Sequence, residues 1–202
     1  MGTTERISVK AMDQAPENFY ENSKNVDEYI KMAKGYDGKE IIDKLHGFLG
    51  KNASVLELGM GPGVDLELLS QQYEATGSDL SQEFLDRYLQ KQPEADVLLL
   101  DAIHLNTDRT FDCIYSNKVL HHLTLTELEK SLLHQTLRLN EGGIVCHSFW
   151  KGNEEMEMKG MYFKYHEQET LVDVFEMNYE VLLCEVYTEL EENDSILVIA
   201  KA

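Results

Sequence analysis

Short apolar runs alternate with amphipathic stretches along the chain, and this alternation predicts an ordered succession of strands and helices. Apolar runs bounded by turn residues predict strands at 54–58, 74–79, 97–101, 111–116, 144–149, 180–190 and 195–200. Apolar positions three and four residues apart predict helices at 26–33, 41–49, 64–73, 81–90, 126–137 and 168–177. Residues 1–24 are polar and show no such pattern.

Strands that alternate with helices at this spacing form a parallel sheet with helices on both faces. Only a turn separates the last two strands, and since a parallel pair requires a crossover, these two must form an antiparallel hairpin. We therefore predict an α/β fold: a Rossmann-like, seven-stranded, mostly parallel sheet with helices on both faces and a C-terminal antiparallel hairpin. An N-terminal helical cap (1–39) precedes this domain (40–202).

Two segments carry more specific expectations. The run at 97–101 is continuously apolar, which is typical of a strand buried on both faces. The helix at 126–137 is expected to turn an apolar side inwards, formed by Leu128, Leu132, Leu133 and Leu137.

Charge and composition narrow the function classes. The 202 residues include 18 basic and 37 acidic ones, which gives a formal net charge of −19, and 43% are hydrophobic. That apolar content excludes a disordered polyelectrolyte, and the deficit of Lys and Arg argues against nucleic acid or an anionic membrane as a partner. No apolar run approaches the roughly 18 residues of a membrane span, and the first ten residues lack an apolar signal core.

Three cysteines, Cys113, Cys146 and Cys184, lie far apart and each within an apolar run. An odd number of cysteines without a signal peptide indicates reduced thiols, and we expect a cytoplasmic protein in which they are small buried hydrophobes.

The strongest chemical signal is the segment 55–65, in which a buried strand ends in Gly59-x-Gly61-x-Gly63 and a helix follows at once. Glycines permit a tight turn and the close approach of a ligand to the backbone. A dinucleotide fingerprint, GxGxxG, would place its third glycine where Val64 stands, which disfavours a nicotinamide oxidoreductase. Glu57 suits a ligand with an ammonium group or hydroxyls rather than a pyrophosphate.

Two further carboxylates end predicted strands. Asp79 lies twenty residues after Gly59, where an acidic side chain can accept hydrogen bonds from both ribose hydroxyls. Asp101, followed by Ala102, can accept from the amino group of an adenine. Because the carboxyl ends of parallel strands line the ligand crevice, these side chains are expected to converge with the glycine loop. Each aspartate can alternatively cap a helix.

With these segments in order, the chain resembles the class I S-adenosylmethionine-dependent methyltransferases, of the type 11-like small-molecule group. The resemblance covers residues 40–202 and includes the ExGxGxG motif, the acidic strand end followed by Leu80, and the fourth-strand segment 111–123. It implies S-adenosyl-L-methionine as cofactor, with a site formed by Glu57, Gly59, Met60, Gly61, Gly63, Asp79, Leu80, Asp101, Ala102, Ser116 and Asn117.

The methyl acceptor is less well defined by the sequence. His121 and His122 follow the fourth strand and are candidates for a general base, or one of them simply packs or caps the next helix. Members that methylate nucleobases or glutamine resemble one another in an (Asn/Asp)-Pro-Pro-(Tyr/Phe) segment that is absent after Ser116. Adjacent histidines point in different directions, so no metal site is expected.

Two variable segments are candidates for the pocket of a small-molecule acceptor. One is the N-terminal region, with Phe19, Tyr20, Tyr29 and Tyr36. The other is 149–166, rich in Met, Tyr and Phe, which alternatively forms a lid or surface helix.

The segment 25–38 is either a mobile lid over the cofactor, to which Tyr29 and Tyr36 contribute, or a fixed cap. An enzyme is the leading hypothesis. The alternative is a non-catalytic module that binds S-adenosylmethionine or its product as a sensor or an assembly partner. The oligomeric state does not follow from the sequence.

Overall fold

A seven-stranded sheet forms the centre of the molecule in a computed structural model that describes residues 23–32, 34–158 and 160–202. The strand order is β3-β2-β1-β4-β5-β9-β8. The strands of this sheet are β1 (Ser54–Leu58), β2 (Glu74–Asp79), β3 (Val97–Leu99), β4 (Phe111–Asn117), β5 (Leu139–Trp150), β8 (Glu180–Tyr187) and β9 (Ser195–Lys201). The first five pair in parallel, whereas β9 pairs antiparallel with both β5 and β8. The predicted fold class is confirmed.

Six helices surround this sheet within the described residues. They are α1 (Ser23–Met32), α2 (Lys39–Leu45), α3 (Val64–Leu69), α4 (Gln82–Lys91), α5 (Leu125–Thr136) and α6 (Gln168–Glu176). Alternation along β1 separates two cores: Val55 packs in a cluster with α2 and α3, and Leu56 in a cluster with α5 and α6. The helices therefore lie on both faces.

The prediction for 97–101 is wrong in one respect. Strand β3 is short and lies at the sheet edge, with Val97 and Leu98 half-buried and Leu99 58% exposed. An edge strand has a neighbour on one side only, so its apolar run is not covered on both faces. Helix α5 likewise buries Leu128 and Leu132 but leaves Leu133 and Leu137 more than half exposed.

The segment after β5 is a hairpin, not a surface helix. Strands β6 (Glu155–Met158) and β7 (Met161–Lys164) pair antiparallel in a separate two-stranded sheet. All four residues of β6 are exposed, whereas all four of β7 are half-buried, so β7 is the strand that faces the protein. Among the other predicted features, Phe19, Tyr20 and Ala33 lie outside the described residues.

Candidate active site

The glycine loop joins the end of β1 to the start of α3 at the carboxyl edge of the sheet. Gly59 adopts φ +65°, and a Cβ there would meet Val119 Cγ2 at 2.6 Å, so the loop packs tightly against the segment after β4. Gly61 adopts φ +50°, but the nearest atom to a Cβ there is Tyr29 Cε1 at 3.7 Å. The loop is therefore closed towards β4 and open at Gly61, beneath α1.

Asp79 is bonded to this loop rather than to a helix. Its Oδ2 accepts from the Gly61 N–H at 2.9 Å and its Oδ1 from the Ser81 N–H at 2.8 Å. The N-cap of α4 is Ser81, not Asp79. Burial raises the pKa of Asp79, while the backbone donors oppose that rise. Each carboxylate oxygen keeps a lone pair for a ligand hydroxyl.

Glu57 is a buried carboxyl group with no partner at one oxygen. The residue is 4% exposed, and its Oε2 has no hydrogen-bond partner among the described residues. Burial, together with the charges of Asp65 and Asp79, raises its pKa well above the usual value. An orphaned buried oxygen surrounded by like charges provides a site for a cationic donor such as the ammonium group of an amino-acid ligand.

Asp65, which the sequence did not single out as a site residue, connects α3 to β4 and to the start of α2. Its carboxylate accepts from the Gly38 N–H at 2.6 Å, the Tyr115 hydroxyl at 2.7 Å and the Asn117 side-chain amide at 3.1 Å. A carboxylate in the first turn after the glycine loop was the available signal. Asn117 thus contributes to the glycine-loop side of the crevice, as a partner of Asp65.

The expected adenine side of the crevice is built from the ends of β2 and β3. Leu80 is 55% exposed, so its side chain is available to an aromatic ligand. Asp101 accepts from the Ile103 N–H at 2.8 Å and also contacts His104 Nδ1, so it closes the turn after β3. The described residues between β3 and β4 form no helix that it could cap. Met60, by contrast, is 3% exposed and packs in an apolar cluster, so only its backbone borders the loop.

Ser116 lies in the core rather than in the crevice. It is fully buried and its hydroxyl contacts His147 Nδ1 at 2.8 Å. The contacts continue from His147 Nε2 to Gln135 Oε1 at 2.9 Å, from Gln135 Nε2 to Ser131 Oγ at 3.1 Å, and from Ser131 Oγ to the Ala102 carbonyl at 2.6 Å. Ser116 is thus the first member of a buried chain that ends at the loop after β3.

The two candidate histidines follow β4 in a short 3-10 turn, Leu120–His122. His122 Nδ1 contacts the carbonyl oxygen of Tyr162 in β7 at 2.8 Å, so this nitrogen carries the proton and Nε2 carries a lone pair. Burial lowers its pKa, which favours the neutral ring. His121 is 3% exposed, and neither of its ring nitrogens has a partner among the described residues.

Helix α1 covers the open side of the glycine loop. Tyr29 packs its ring against Phe84 of α4, with the centroids 5.7 Å apart. Arg87 of α4 pairs with Asp27 of α1 at 2.6 Å, and the Ser23 hydroxyl of α1 donates to Glu83 of α4 at 2.9 Å, so two contacts connect the helices. Tyr29 therefore lies above the site.

Tyr36 lies apart from this cover. It is 53% exposed and lines a surface cavity of about 450 Å³ with Tyr187 and Glu189. The structure thus brings only Tyr29 of this pair over the glycine loop.

Lys118, a second residue missed from the sequence, ties β4 to the C-terminal hairpin. Its ammonium donates to Tyr187 Oη and Ser195 Oγ, each at 2.9 Å, and pairs with Glu189 at 2.6 Å. It also lies 4.3 Å from the Trp150 ring centroid. Its backbone has φ +53°, an uncommon value for a residue with a side chain.

Three further findings concern metal ligands, membrane spans and cysteines. No group of three or more His, Cys, Asp or Glu side chains that could hold a metal occurs among the described residues. The described helices include none that is long and apolar enough to cross a membrane. Cys113, Cys146 and Cys184 carry free thiols.

Comparison with known proteins agrees with this geometry. Residues 55–143 match the family model described as a methyltransferase domain. No curated protein matches the chain by sequence.

Similar solved structures include an S-adenosylmethionine-dependent methyltransferase from Clostridium acetobutylicum ATCC 824, at 17% identity and TM-score 0.71, covering 89% of this chain and 99% of that one. The N-methyltransferase NodS from Bradyrhizobium japonicum WM9, in complex with S-adenosyl-L-homocysteine, aligns at 14% identity and TM-score 0.70, covering 92% and 98%. The glycopeptide N-methyltransferase MtfA, complexed with S-adenosyl-L-methionine, aligns at 15% identity and TM-score 0.68, covering 83% and 95%.

At these identities the structural likeness shows the fold, and the family match adds a methyltransferase domain at residues 55–143. The motif Glu57–Gly63, the sheet order and the matched domain lead to one conclusion. Residues 55–143 carry a methyltransferase domain, and the chain has the fold of the S-adenosylmethionine-dependent methyltransferases to which it is similar.

Proposed function

We propose that the chain transfers a methyl group from S-adenosyl-L-methionine to a small-molecule acceptor, with the cofactor held by the ends of β1, β2 and β3. The observation that carries this is the open backbone at Gly61, to which Asp79 is bonded and over which Tyr29 lies. Asp79 would accept from the ribose hydroxyls, Glu57 would face the ammonium group and Leu80 would pack on the adenine. The orphaned Glu57 oxygen and the uncrowded Gly61 both fit such a ligand.

Bound S-adenosylmethionine supplies an activated methyl group, so the protein's task is to position the acceptor and, where needed, to take its proton. We assign the proton-accepting role to His122, because its Nδ1 is engaged by Tyr162 and its Nε2 lone pair is free to accept. His121 has no such orienting partner among the described residues. Proton transfer from the acceptor to His122 Nε2 would leave a lone pair on the acceptor atom to attack the methyl carbon.

The cofactor assignment is tested by a pair of glycine variants. Gly61→Val places a side chain in the space beneath Tyr29, and we expect loss of calorimetric binding of S-adenosylhomocysteine. Gly142→Val is the matched control, because Gly142 also has a positive φ (+74°) but lies near Lys201, where a Cβ meets nothing closer than 3.6 Å. Equal affinity in both variants would refute the site.

Turnover is tested separately. We expect protein-dependent transfer of label from methyl-labelled S-adenosylmethionine into the dialysable fraction of a metabolite extract, and not into added RNA, DNA or protein. Binding of S-adenosylhomocysteine without such transfer would instead support the sensor alternative.

The free thiols are consistent with our proposal of a cytoplasmic enzyme.

A further inference from the structure

Two buried histidines near the end of β4 have no use in the function described so far. His121 is 3% exposed and His166 is 1% exposed, and none of their four ring nitrogens has a hydrogen-bond partner among the described residues. A buried polar group without a partner destabilises a protein by about 1–3 kcal/mol. Two such residues in one region are therefore candidates for groups whose hydrogen bonds a ligand supplies.

Both histidines belong to the part of the crevice where β4 and β5 end. His121 follows β4. The backbone N–H of His166 donates to the carbonyl oxygen of Trp150, the last residue of β5, at 2.9 Å. His121 stacks on Phe163 of β7, and His166 lies three residues after Phe163 in the chain, so the two histidines belong to one neighbourhood. This region adjoins the glycine loop through the segment after β4, as the contact between Gly59 and Val119 shows.

The walls of this region are aromatic. The Phe163 ring stacks on His121 with the centroids 5.4 Å apart and an interplanar angle of 16°. The Phe149 ring meets His166 edge-on, with the centroids 5.3 Å apart. Phe163 belongs to β7, so the β6–β7 hairpin separates the two histidines from solvent, and a ligand would have to displace that hairpin to enter.

The charges around the two histidines argue against a charged ligand. Burial lowers the pKa of His121 well below its usual value and that of His166 to about 4, so both rings are neutral at pH 7. Lys118 is nearby but engaged by Tyr187, Ser195 and Glu189, so it has no free donor for an anion. In the hairpin, Lys164 and Glu155 neutralise each other at 2.5 Å.

The carboxylates near a cation here would be Glu155 and Glu189, and each already pairs with a lysine, Lys164 and Lys118. A cation would also lie near the Lys118 ammonium. A neutral imidazole offers one donor and one acceptor. A hydroxyl group likewise donates one hydrogen bond and accepts others.

We infer that His121 and His166 form a binding site for an uncharged, largely apolar acceptor that carries a hydroxyl group, enclosed by the β6–β7 hairpin. This inference rests on the proposed function and names its acceptor class. The hydroxyl donates to one imidazole nitrogen and accepts from another, while Phe149 and Phe163 contact its apolar body. His166 is then a specificity-determining residue contributed by the hairpin segment.

The test uses the full chain saturated with S-adenosylhomocysteine, so that the cofactor site is shown to be intact before the acceptor site is probed. With ¹⁵N-labelled histidine, phenol is titrated and the imidazole nitrogen resonances are followed by NMR. We expect saturable shifts at His121 and His166. Anisole, which cannot donate a hydrogen bond, should bind at least tenfold more weakly, and benzylammonium should produce no shift at either ring.

Variants make the assignment specific. His166→Phe should weaken phenol binding at least tenfold and leave S-adenosylhomocysteine affinity unchanged, and His121→Asn provides a second, smaller replacement. His46→Phe is the matched control, since His46 also has an unpartnered ring nitrogen but packs on Tyr73 at the opposite edge of the sheet. The inference is overturned by unmoved resonances at both rings, by an equal response to benzylammonium, or by an equal effect of His46→Phe. Loss of S-adenosylhomocysteine binding in the unaltered chain would instead refute the proposed function.

Discussion

Replacing Asp79 by Asn separates cofactor binding from stability. The carboxylate accepts from the Gly61 and Ser81 N–H groups, one on each oxygen. Asn keeps one oxygen and turns an NH₂ group towards the other donor. The proposed ribose hydroxyls then lose at least one hydrogen bond to a charged acceptor, which is worth about 1.5–3 kcal/mol. At 1.4 kcal/mol for each tenfold change, the affinity should fall roughly 10- to 150-fold.

The effect on stability should be small, because burial already raises the pKa of Asp79 and so disfavours its ionised form in the folded protein. Asp112 is the matched control at the opposite edge of the sheet. It accepts from the Ser54 N–H at 2.8 Å and from the Asn140 amide at 2.7 Å, and these bonds lower its pKa. Asp112→Asn should therefore lower the free energy of unfolding and leave cofactor affinity unchanged.

Calorimetry with S-adenosylhomocysteine and urea denaturation measure the two quantities on the same preparations. The reasoning predicts opposite patterns: affinity lost and stability retained in Asp79→Asn, and the reverse in Asp112→Asn. Unchanged affinity in Asp79→Asn, or an equal loss of affinity in both variants, would refute the assignment of Asp79 to the ribose.

Three further predictions follow from groups around the site. The pKa of Glu57 is higher in the folded protein than in the unfolded chain, so the free energy of unfolding falls as the pH rises above about 4.5. Urea titrations should therefore show Glu57→Gln becoming more stable, relative to the unaltered chain, between pH 4 and pH 8. Burial lowers the pKa of His147 to about 3 from 6.5, so its stabilising effect is lost as pH falls, and the deficit of His147→Phe should shrink between pH 7 and pH 4. Arg87→Ala removes the ion pair with Asp27 and should weaken the attachment of α1 to α4. We expect faster hydrogen exchange in residues 23–32, and unchanged exchange would contradict a role of Arg87 in holding α1.

The sequence predicted the parts of the fold that depend on local pattern. The bounds of β1 and β2 agree with the structure because a buried run and a following glycine or aspartate mark them directly. The position of β3 at the sheet edge could not be predicted, since strand order is not a local property and an apolar run is the same in an edge or a central strand. The predicted burial of Leu133 and Leu137 was wrong for a related reason. The spacing of apolar residues does not determine how much of the surface of α5 is covered by the sheet.

The candidate site was predicted unevenly. The glycines, Glu57 and Asp79 follow from the motif, because backbone conformation and strand ends determine where they lie. Asp65 and Lys118 were missed, since their importance comes from partners far away in sequence, Tyr115 for one and Glu189 for the other. The role of His166 depends on the hairpin, whose Met- and Tyr-rich sequence was equally compatible with a helix.

The buried chain that begins at Ser116 has a fixed direction. The Ala102 carbonyl can only accept, so Ser131 must donate to it, the Gln135 amide to Ser131, His147 Nε2 to Gln135, and Ser116 to His147 Nδ1. A change at any one position leaves its neighbours with a mismatched donor or acceptor inside the core. These positions lie on β4, α5 and β5, yet they form one continuous hydrogen-bonded unit. We therefore expect that a substitution at one of these positions is tolerated only with a compensating substitution at its neighbour. Because the chain ends at the Ala102 carbonyl, such changes would also alter the support of the loop that carries Asp101.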